Sequence, residues 1–255
     1  MPDNLFDLTG KVAIVTGSTK GIGRQIAYRL AQHGAKVVVS SRKADAVEAV
    51  TAEINADFPD SAIGIPCNIG YKEQLQGLVD ETRKRLGKID VLVCNAAINP
   101  FAGSMADIPD DAFDKIMASN VKSNVWLCNM VIPEMKDRKD GSIIIISSIG
   151  GLRGSPILGA YCISKAADFQ VARNIAVEYG PHNIRANAIA PGLIKTDFAR
   201  YLWESPEILK SSTAGAPLRR IGEPDEIAGM AVFLASKAGA FTTGQGFVID
   251  GGATI

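Results

Sequence analysis

The sequence predicts an α/β fold built on a doubly wound parallel sheet. Three observations lead there. Short runs of Val, Ile and Ala alternate with longer amphipathic stretches along the whole chain. Those runs lack polar alternation, the pattern of strands buried on both faces. A glycine-rich turn joins the first run to the first amphipathic stretch.

The expected strands are Val12–Thr16, Lys36–Ser41, Ala62–Pro66, Val91–Cys94, Ser142–Ser147, Arg185–Ala190 and Gly246–Ile249. Each is short and dominated by residues that pack on a pleated surface. Between them, Ile22–His33 places Ile22, Ile26, Ala27 and Leu30 on one helical face and stops at Gly34. Ala44–Phe58, Lys72–Leu86, Asp111–Met135, Ala160–Tyr179 and Asp225–Leu234 read as helices by the same pattern. Gly87, Pro133, Gly180 and Pro181 mark their ends, and Pro224 before Asp225-Glu226 starts the last one. Seven strands joined by helices give a seven-stranded parallel sheet with right-handed crossovers and helices on both faces. No linker or repeat interrupts residues 1–255, so one domain is expected. Residues 193–217 break the alternation with Phe198, Tyr201, Leu202, Trp203 and two prolines. Such an excursion reads as a substrate-binding loop or lid, or as a helical hairpin packed on the core.

The 255 residues carry 27 Lys+Arg against 27 Asp+Glu. A zero formal charge argues against nucleic acid as a partner and against binding a membrane surface. The apolar share of 47% is ordinary for a folded chain and argues against disorder. Cys67, Cys94, Cys128 and Cys162 are too far apart for a zinc site. They read as free, buried thiols in a reducing compartment. His33 and His182 stand alone without a carboxylate cluster, so no metal is expected. The start, MPDNLFDLTGK, lacks a signal-peptide pattern, and no apolar run is long enough to span a bilayer. A cytoplasmic protein is expected.

Residues 12–23 read VAIVTGSTKGIG. Gly17, Ser18, Thr19, Lys20, Gly21, Ile22 and Gly23 thus form a strand-to-helix turn. Glycines let a pyrophosphate approach the backbone, and the helix start offers free N–H groups and a positive dipole end. A dinucleotide is the expected ligand. The end of the second strand selects which one, because a carboxylate there would bind ribose hydroxyls and repel a 2′-phosphate. Here it reads Ser40-Ser41-Arg42-Lys43. Ser41, Arg42, Lys43 and Lys20 are positioned to converge on a 2′-phosphate, favouring NADP(H) over NAD(H). A plain solvated helix start is the alternative for Arg42 and Lys43.

Tyr161 and Lys165 lie at i and i+4 and share a helix face. A lysine ammonium beside a tyrosine, together with the positive ring of an oxidised nicotinamide, favours the phenolate, so the phenol becomes able to exchange a proton near neutral pH. Ser148 ends the strand just before. A surface pair is the plainer reading of Tyr-x3-Lys alone.

Thr16-Gly-x3-Gly-Ile-Gly23, Asn95-Ala96-Ala97, Asn120, Ser148, Tyr161-x3-Lys165 and Pro191-Gly192 together resemble the short-chain dehydrogenase/reductase family in order and spacing. The resemblance runs from Leu8 to Gly252. It implies a Rossmann fold, hydride transfer with NAD(P), and a homotetramer or homodimer. It implies Tyr161 as general acid/base, Lys165 on the nicotinamide ribose, Ser148 on the substrate carbonyl, and Asn120 holding a water that links Lys165 to solvent. It also implies that Ile194 and Thr196 contact the carboxamide and that Asn68 and Ile69 flank the adenine. Two departures stand out: Cys94-Asn95-Ala96-Ala97 where the family has Asn-Asn-Ala-Gly, and Asn68 where it has Asp.

Asn95–Met105 and Ala190–Trp203 look like the NADPH-dependent carbonyl reductase/retinol dehydrogenase branch of that family. The expected substrate walls are Ile98, Phe101, Gly150, Leu152, Ile157, Phe198, Leu202 and Trp203, with Ser148. They are mostly apolar and suit a small hydrophobic ketone, aldehyde or alcohol. The alternatives are an NAD-dependent secondary alcohol dehydrogenase, a 3-oxoacyl thioester reductase, or a catalytically silent dinucleotide-binding regulator.

Overall fold

A computed structural model describes residues 4–255. Its strands are β1 (Val12–Thr16), β2 (Lys36–Ser40), β3 (Ala62–Gly64), β4 (Val91–Cys94), β5 (Gly141–Ile146), β6 (Ile184–Pro191) and β7 (Gly246–Ile249). They form one sheet in the order β3-β2-β1-β4-β5-β6-β7, every pair parallel. The expected fold class is the observed one. β1, β4 and β7 have the expected ends, and the other four strands differ by one or two residues.

The helices are α1 (Gly21–Gln32), α2 (Ala44–Asp57), α3 (Lys72–Leu86), α4 (Asp110–Met117), α5 (Ser123–Arg138), α6 (Gly159–Tyr179), α7 (Pro206–Thr213) and α8 (Pro224–Ala235). Strand side chains alternate between two helix layers. Ala13, Val15, Val37, Val39, Val91 and Val93 face α1, α2 and α8. Ile14, Val38, Leu92, Cys94, Ile143 and Ile145 face α3, α5 and α6. Both faces are covered, which explains why the strands read as unbroken apolar runs.

One helix expectation is corrected. Asp111–Met135 is not one helix with a stop at Pro133. A π-helical turn at Ala118–Lys122 separates α4 from α5, and α5 continues through Pro133 to Arg138. The π turn admits an extra residue and turns Asn120 inward, where it is fully buried. Near the proline, Arg83 donates to the Met130 carbonyl (2.7 Å) and to Glu134 (2.8 Å), pinning α5 to α3.

The excursion at 193–217 holds a 3₁₀ turn (Asp197–Leu202) and α7. Its base is clamped by Lys195 N–H to the Gly222 carbonyl (2.9 Å) and Gly222 N–H to the Leu193 carbonyl (3.0 Å). All four cysteines are free and buried. Among the described residues no helix is long and apolar enough to cross a membrane.

Leu92 is fully buried in the middle of the sheet. Leu92→Ala is expected to lower stability by about 2–5 kcal/mol, read from a chemical denaturation midpoint.

Candidate active site

A cleft of about 880 Å³ opens where the strands end. The sheet order reverses its direction of growth between β1 and β4, and chains leaving these strands diverge to opposite faces. The loops after β1, β2, β3, β4, β5 and β6 all contribute lining residues.

The Thr16 hydroxyl braces the junction. Its oxygen accepts from Asn95 N–H (3.0 Å) and Ala96 N–H (3.1 Å), and its proton goes to the Val93 carbonyl (3.3 Å). The Asn95 amide returns donors to the carbonyls of Thr16 (2.9 Å) and Gly17 (3.1 Å). Gly17 is left-handed (φ +64°), a conformation that suits glycine. A Cβ on Gly23 would collide with the Asn95 amide and the Gly17 carbonyl. The first turn of α1 has no acidic residue, and its leading N–H groups precede the helix's own hydrogen bonds. This cradle fits the pyrophosphate of a dinucleotide.

Most of the residues expected to hold a cofactor line the cleft. They are Gly17, Thr19, Lys20, Gly21, Ile22, Gly23, Ser41, Arg42, Lys43, Asn68, Ile69, Asn95, Ala96, Ala97, Tyr161, Lys165, Pro191, Gly192, Ile194 and Thr196. One detail differs. Ser18 is fully buried behind the loop, where it donates to the Val15 carbonyl (2.7 Å) and accepts from Ser40 N–H (2.9 Å). It ties β1 to β2 and does not face the cleft. The Lys20 ammonium lies on the cleft lining and pairs with Asp197 (3.3 Å), both side chains exposed, while Arg42 and Lys43 stand at the end of β2. Beside them the Thr19 hydroxyl donates to Ser41 (3.0 Å).

Tyr161, Lys165 and Ser148 share one wall. Ser148 ends the β5 segment, and its hydroxyl accepts from Gly150 N–H (3.0 Å). Lys165 is buried and donates to the Ile146 carbonyl (2.8 Å) and to Asp168 (2.9 Å). Its ammonium lies 5.8 Å from the Tyr161 ring centre. Burial pushes the Tyr161 phenol above its ordinary value, and Lys165 and Ser148 pull it back without overcoming that. Lys165 favours the phenolate, and in the chain alone burial outweighs it.

Asn120 is a brace. Its side chain accepts from Ile98 N–H (2.9 Å) and donates to the Ile98 carbonyl (3.0 Å) and Ser164 (3.0 Å). Its backbone carbonyl accepts from the Asn124 amide (2.7 Å).

Among the expected substrate walls, Ile98 and Phe198 line the cleft, with the Phe198 ring 5.8 Å from that of Tyr161. A Cβ on Gly150 would lie 3.8 Å from the Tyr161 ring. Leu152 and Ile157 are exposed, and with Phe101 and Leu202 they lie outside the cleft lining. Trp203 turns away: its indole N–H donates to the Thr196 carbonyl (2.9 Å), and it lines a separate groove with Arg24 and Pro224. The tryptophan is used to hold the segment's own backbone. Lys115, Ser119 and Ala199 line the cleft unanticipated, as does Cys67, whose thiol burial pushes up to about 11. The buried Asp168 was also unanticipated. Its position seven residues after Tyr161, on the same helix face, is the signal that would have found it.

Residues 17–254 match the family model described as Enoyl-(Acyl carrier protein) reductase. The chain is 44% identical over 245 residues to Dehydrogenase/reductase SDR family member 4 of Bos taurus, covering 96% of this chain and 88% of that one. It is 38% identical over 247 residues to Dehydrogenase/reductase SDR family member 2, mitochondrial, of Homo sapiens, covering 97% and 88%. A solved 7α-hydroxysteroid dehydrogenase, complexed with NADH and 7-oxo glycochenodeoxycholic acid, superposes with a TM-score of 0.92 at 38% identity, covering 97% of this chain and 96% of that one. A gluconate 5-dehydrogenase from Burkholderia cenocepacia J2315, in complex with NADP and tartrate, gives 0.93 at 29% identity, covering 98% and 97%.

Thr16→Val keeps the side chain's shape but removes the acceptor for two N–H groups. We expect it to lower stability by about 1–3 kcal/mol, read from the thermal or denaturant midpoint.

Proposed function

The chain belongs to the short-chain dehydrogenase/reductases, oxidoreductases that act on CH–OH groups with NAD(P), and from that premise we propose that it interconverts a hydrophobic carbonyl and its alcohol with NADP(H). The observation that carries this reading is that the Ser148, Tyr161 and Lys165 wall is continuous, in one cleft, with the glycine cradle after β1. A bound nicotinamide would supply or accept the hydride. The chain's own residues handle the oxygen. Ser148 hydrogen-bonds it, and Tyr161 gives it a proton in reduction or takes one in oxidation. Lys165 would hold the ribose of the bound cofactor and keeps a positive charge beside the phenol. The Pro191–Thr196 stretch, with Ile194 and Thr196, would hold the carboxamide, and Asn68 and Ile69 would flank the adenine.

Preference for NADP(H) is supported by Ser41-Arg42-Lys43, where no carboxylate faces the ribose. Arg42 and Lys43 are exposed at the cleft edge, where a 2′-phosphate would reach them. Ile98 and Phe198 near Tyr161 support an apolar substrate, and residues 193–217 act as its lid. Likeness to Dehydrogenase/reductase SDR family member 4 supports the carbonyl reductase/retinol dehydrogenase branch. A homotetramer or homodimer accords with exposed apolar residues on α6 (Ile163, Val177) and on the edge strand β7 (Val248). Four free thiols accord with the cytoplasm.

Fluorescence titration tests the cofactor reading. NADPH is expected to bind more tightly than NADH, and Arg42→Ala to weaken NADPH about 10–100-fold while sparing NADH. Preference for NADH with no effect of the substitution would overturn it. Tyr161→Phe is expected to lower turnover of a ketone and aldehyde panel about 10²–10⁴-fold, with NADPH affinity kept. The pH dependence has opposite signs in the two directions. Reduction needs the protonated phenol, so its rate falls as pH rises through the phenol's pKa. Oxidation needs the phenolate, so its rate rises over the same interval. Since burial holds that pKa up, both changes are expected on the alkaline side of neutrality.

A further inference from the structure

The cleft wall has a buried back that the reaction scheme above does not use. Behind Lys165 lies Asp168, fully buried on the same helix and bonded to the ammonium at 2.9 Å. Its other oxygen accepts from the Asn124 amide of α5 (3.1 Å). The same amide reaches the Asn120 carbonyl in the π turn. Lys165 spends one proton on Asp168 and one on the Ile146 carbonyl, leaving the third for the cleft.

A buried ammonium without a counter-charge sheds its proton. The neighbourhood offers little else to hold it. Tyr161 on α6 is a phenol that burial holds above its ordinary pKa. Cys94 from β4 faces the pair, and its thiol stays protonated, held up by its hydrogen bond with Cys128 and by burial. Asn124 is uncharged. Lys115 of α4, on the cleft wall, is itself a cation. Burial pushes the Asp168 carboxyl above its ordinary value while Lys165 and the Asn124 amide pull it back, and Asp168 is the carboxylate in contact with Lys165.

We propose that Asp168 is a positioning residue of the reaction: it holds Lys165 as an ammonium aimed into the cleft, and so governs how readily Tyr161 exchanges its proton. The proposal rests on the reading of Tyr161 as the acid/base. The sign follows from the contacts. Asp168 has two opposed effects on the phenol. Its own charge disfavours the phenolate from a distance, and the ammonium that it maintains favours the phenolate from close by. Without Asp168 the buried Lys165 loses its contact anion and sheds its proton, so the phenol loses the adjacent ammonium altogether; that loss exceeds the relief of Asp168's own opposed charge, and removing Asp168 raises the pKa of the phenol.

Two variants test this. Asp168→Asn keeps the shape and removes the charge. Asn124→Ala removes the donor to Asp168 and weakens it as a counter-ion. The first readout is the ultraviolet titration of the Tyr161 phenol in the whole protein without substrate, taken as the difference from the matching Tyr161→Phe protein. An upward shift of about one pH unit or more is expected for Asp168→Asn, and a smaller upward shift for Asn124→Ala. The second readout is the pH profile of kcat, whose phenol-controlled limb is expected to move the same way. No shift, or a downward one, overturns the proposal. If Asp168→Asn fails to fold, the titration of Asn124→Ala decides by the same criterion. An upward shift without turnover of any carbonyl supports the proposal and sinks the reading of the substrate. Turnover with an unmoved titration keeps that reading and overturns the proposal.

Discussion

The hydrogen bonds that tie the end of β1 to the end of β4 hold the site together. Between these strands the parallel sheet reverses its direction of growth, so chains leaving them part to opposite faces and open a crevice. An opening at the middle of a sheet exposes backbone groups that need partners. Thr16 and Asn95 supply them, with one hydroxyl and one amide serving five backbone groups. The same amide packs where a side chain on Gly23 would stand, so the glycine cradle and the β4 loop form one unit. Ser18 extends the bracing to β2, and the wall carrying Ser148 follows from the pairing of β4 with β5. The cleft is the consequence of strand order, made permanent by a few buried polar side chains.

Charge is managed on the opposite wall by a related economy. α6 places Tyr161, Lys165 and Asp168 on one face, so a cation is set between a phenol and a carboxylate. Burial alone would neutralise the lysine and make the tyrosine a poorer acid. The ion pair offsets the first effect, and the ammonium partly offsets the second. A phenol held up by burial suits proton donation to a carbonyl oxygen, and the ammonium beside it eases the reverse transfer.

The fold was legible in the sequence because both faces of the sheet are covered. Unbroken runs such as Ile143–Ile146 and Val37–Val39 have no other use in a folded chain of this composition. The glycine turn and the Tyr161/Lys165 spacing were legible because local geometry fixes them. What stayed hidden depends on contacts across the fold. Asp168 reads as an ordinary charge in a helix until α5 is seen to bury it. Asn120 gives no sign of the π turn around it, since a π turn needs only one extra residue and leaves the helical pattern nearly intact. Pro133 reads as a stop, yet α5 runs through it where Arg83 and Glu134 anchor it to α3. Trp203 looks like a substrate wall by type, but its indole N–H needs a partner and finds one in the Thr196 carbonyl.

The pairing of Lys20 with Asp197 bears on how the two halves of the cleft communicate. Asp197 opens the 3₁₀ turn of the 193–217 segment, while Lys20 stands in the glycine cradle. Both side chains are exposed, so the pair is weak and screened by salt. Such a pair ties the segment to the cradle only loosely. Under the proposed reading it also separates two tasks. If Lys20 were needed for a 2′-phosphate, cofactor selection and lid closure would compete for one cation. With Arg42 and Lys43 at the end of β2 and Lys20 turned to Asp197, each task has its own charge.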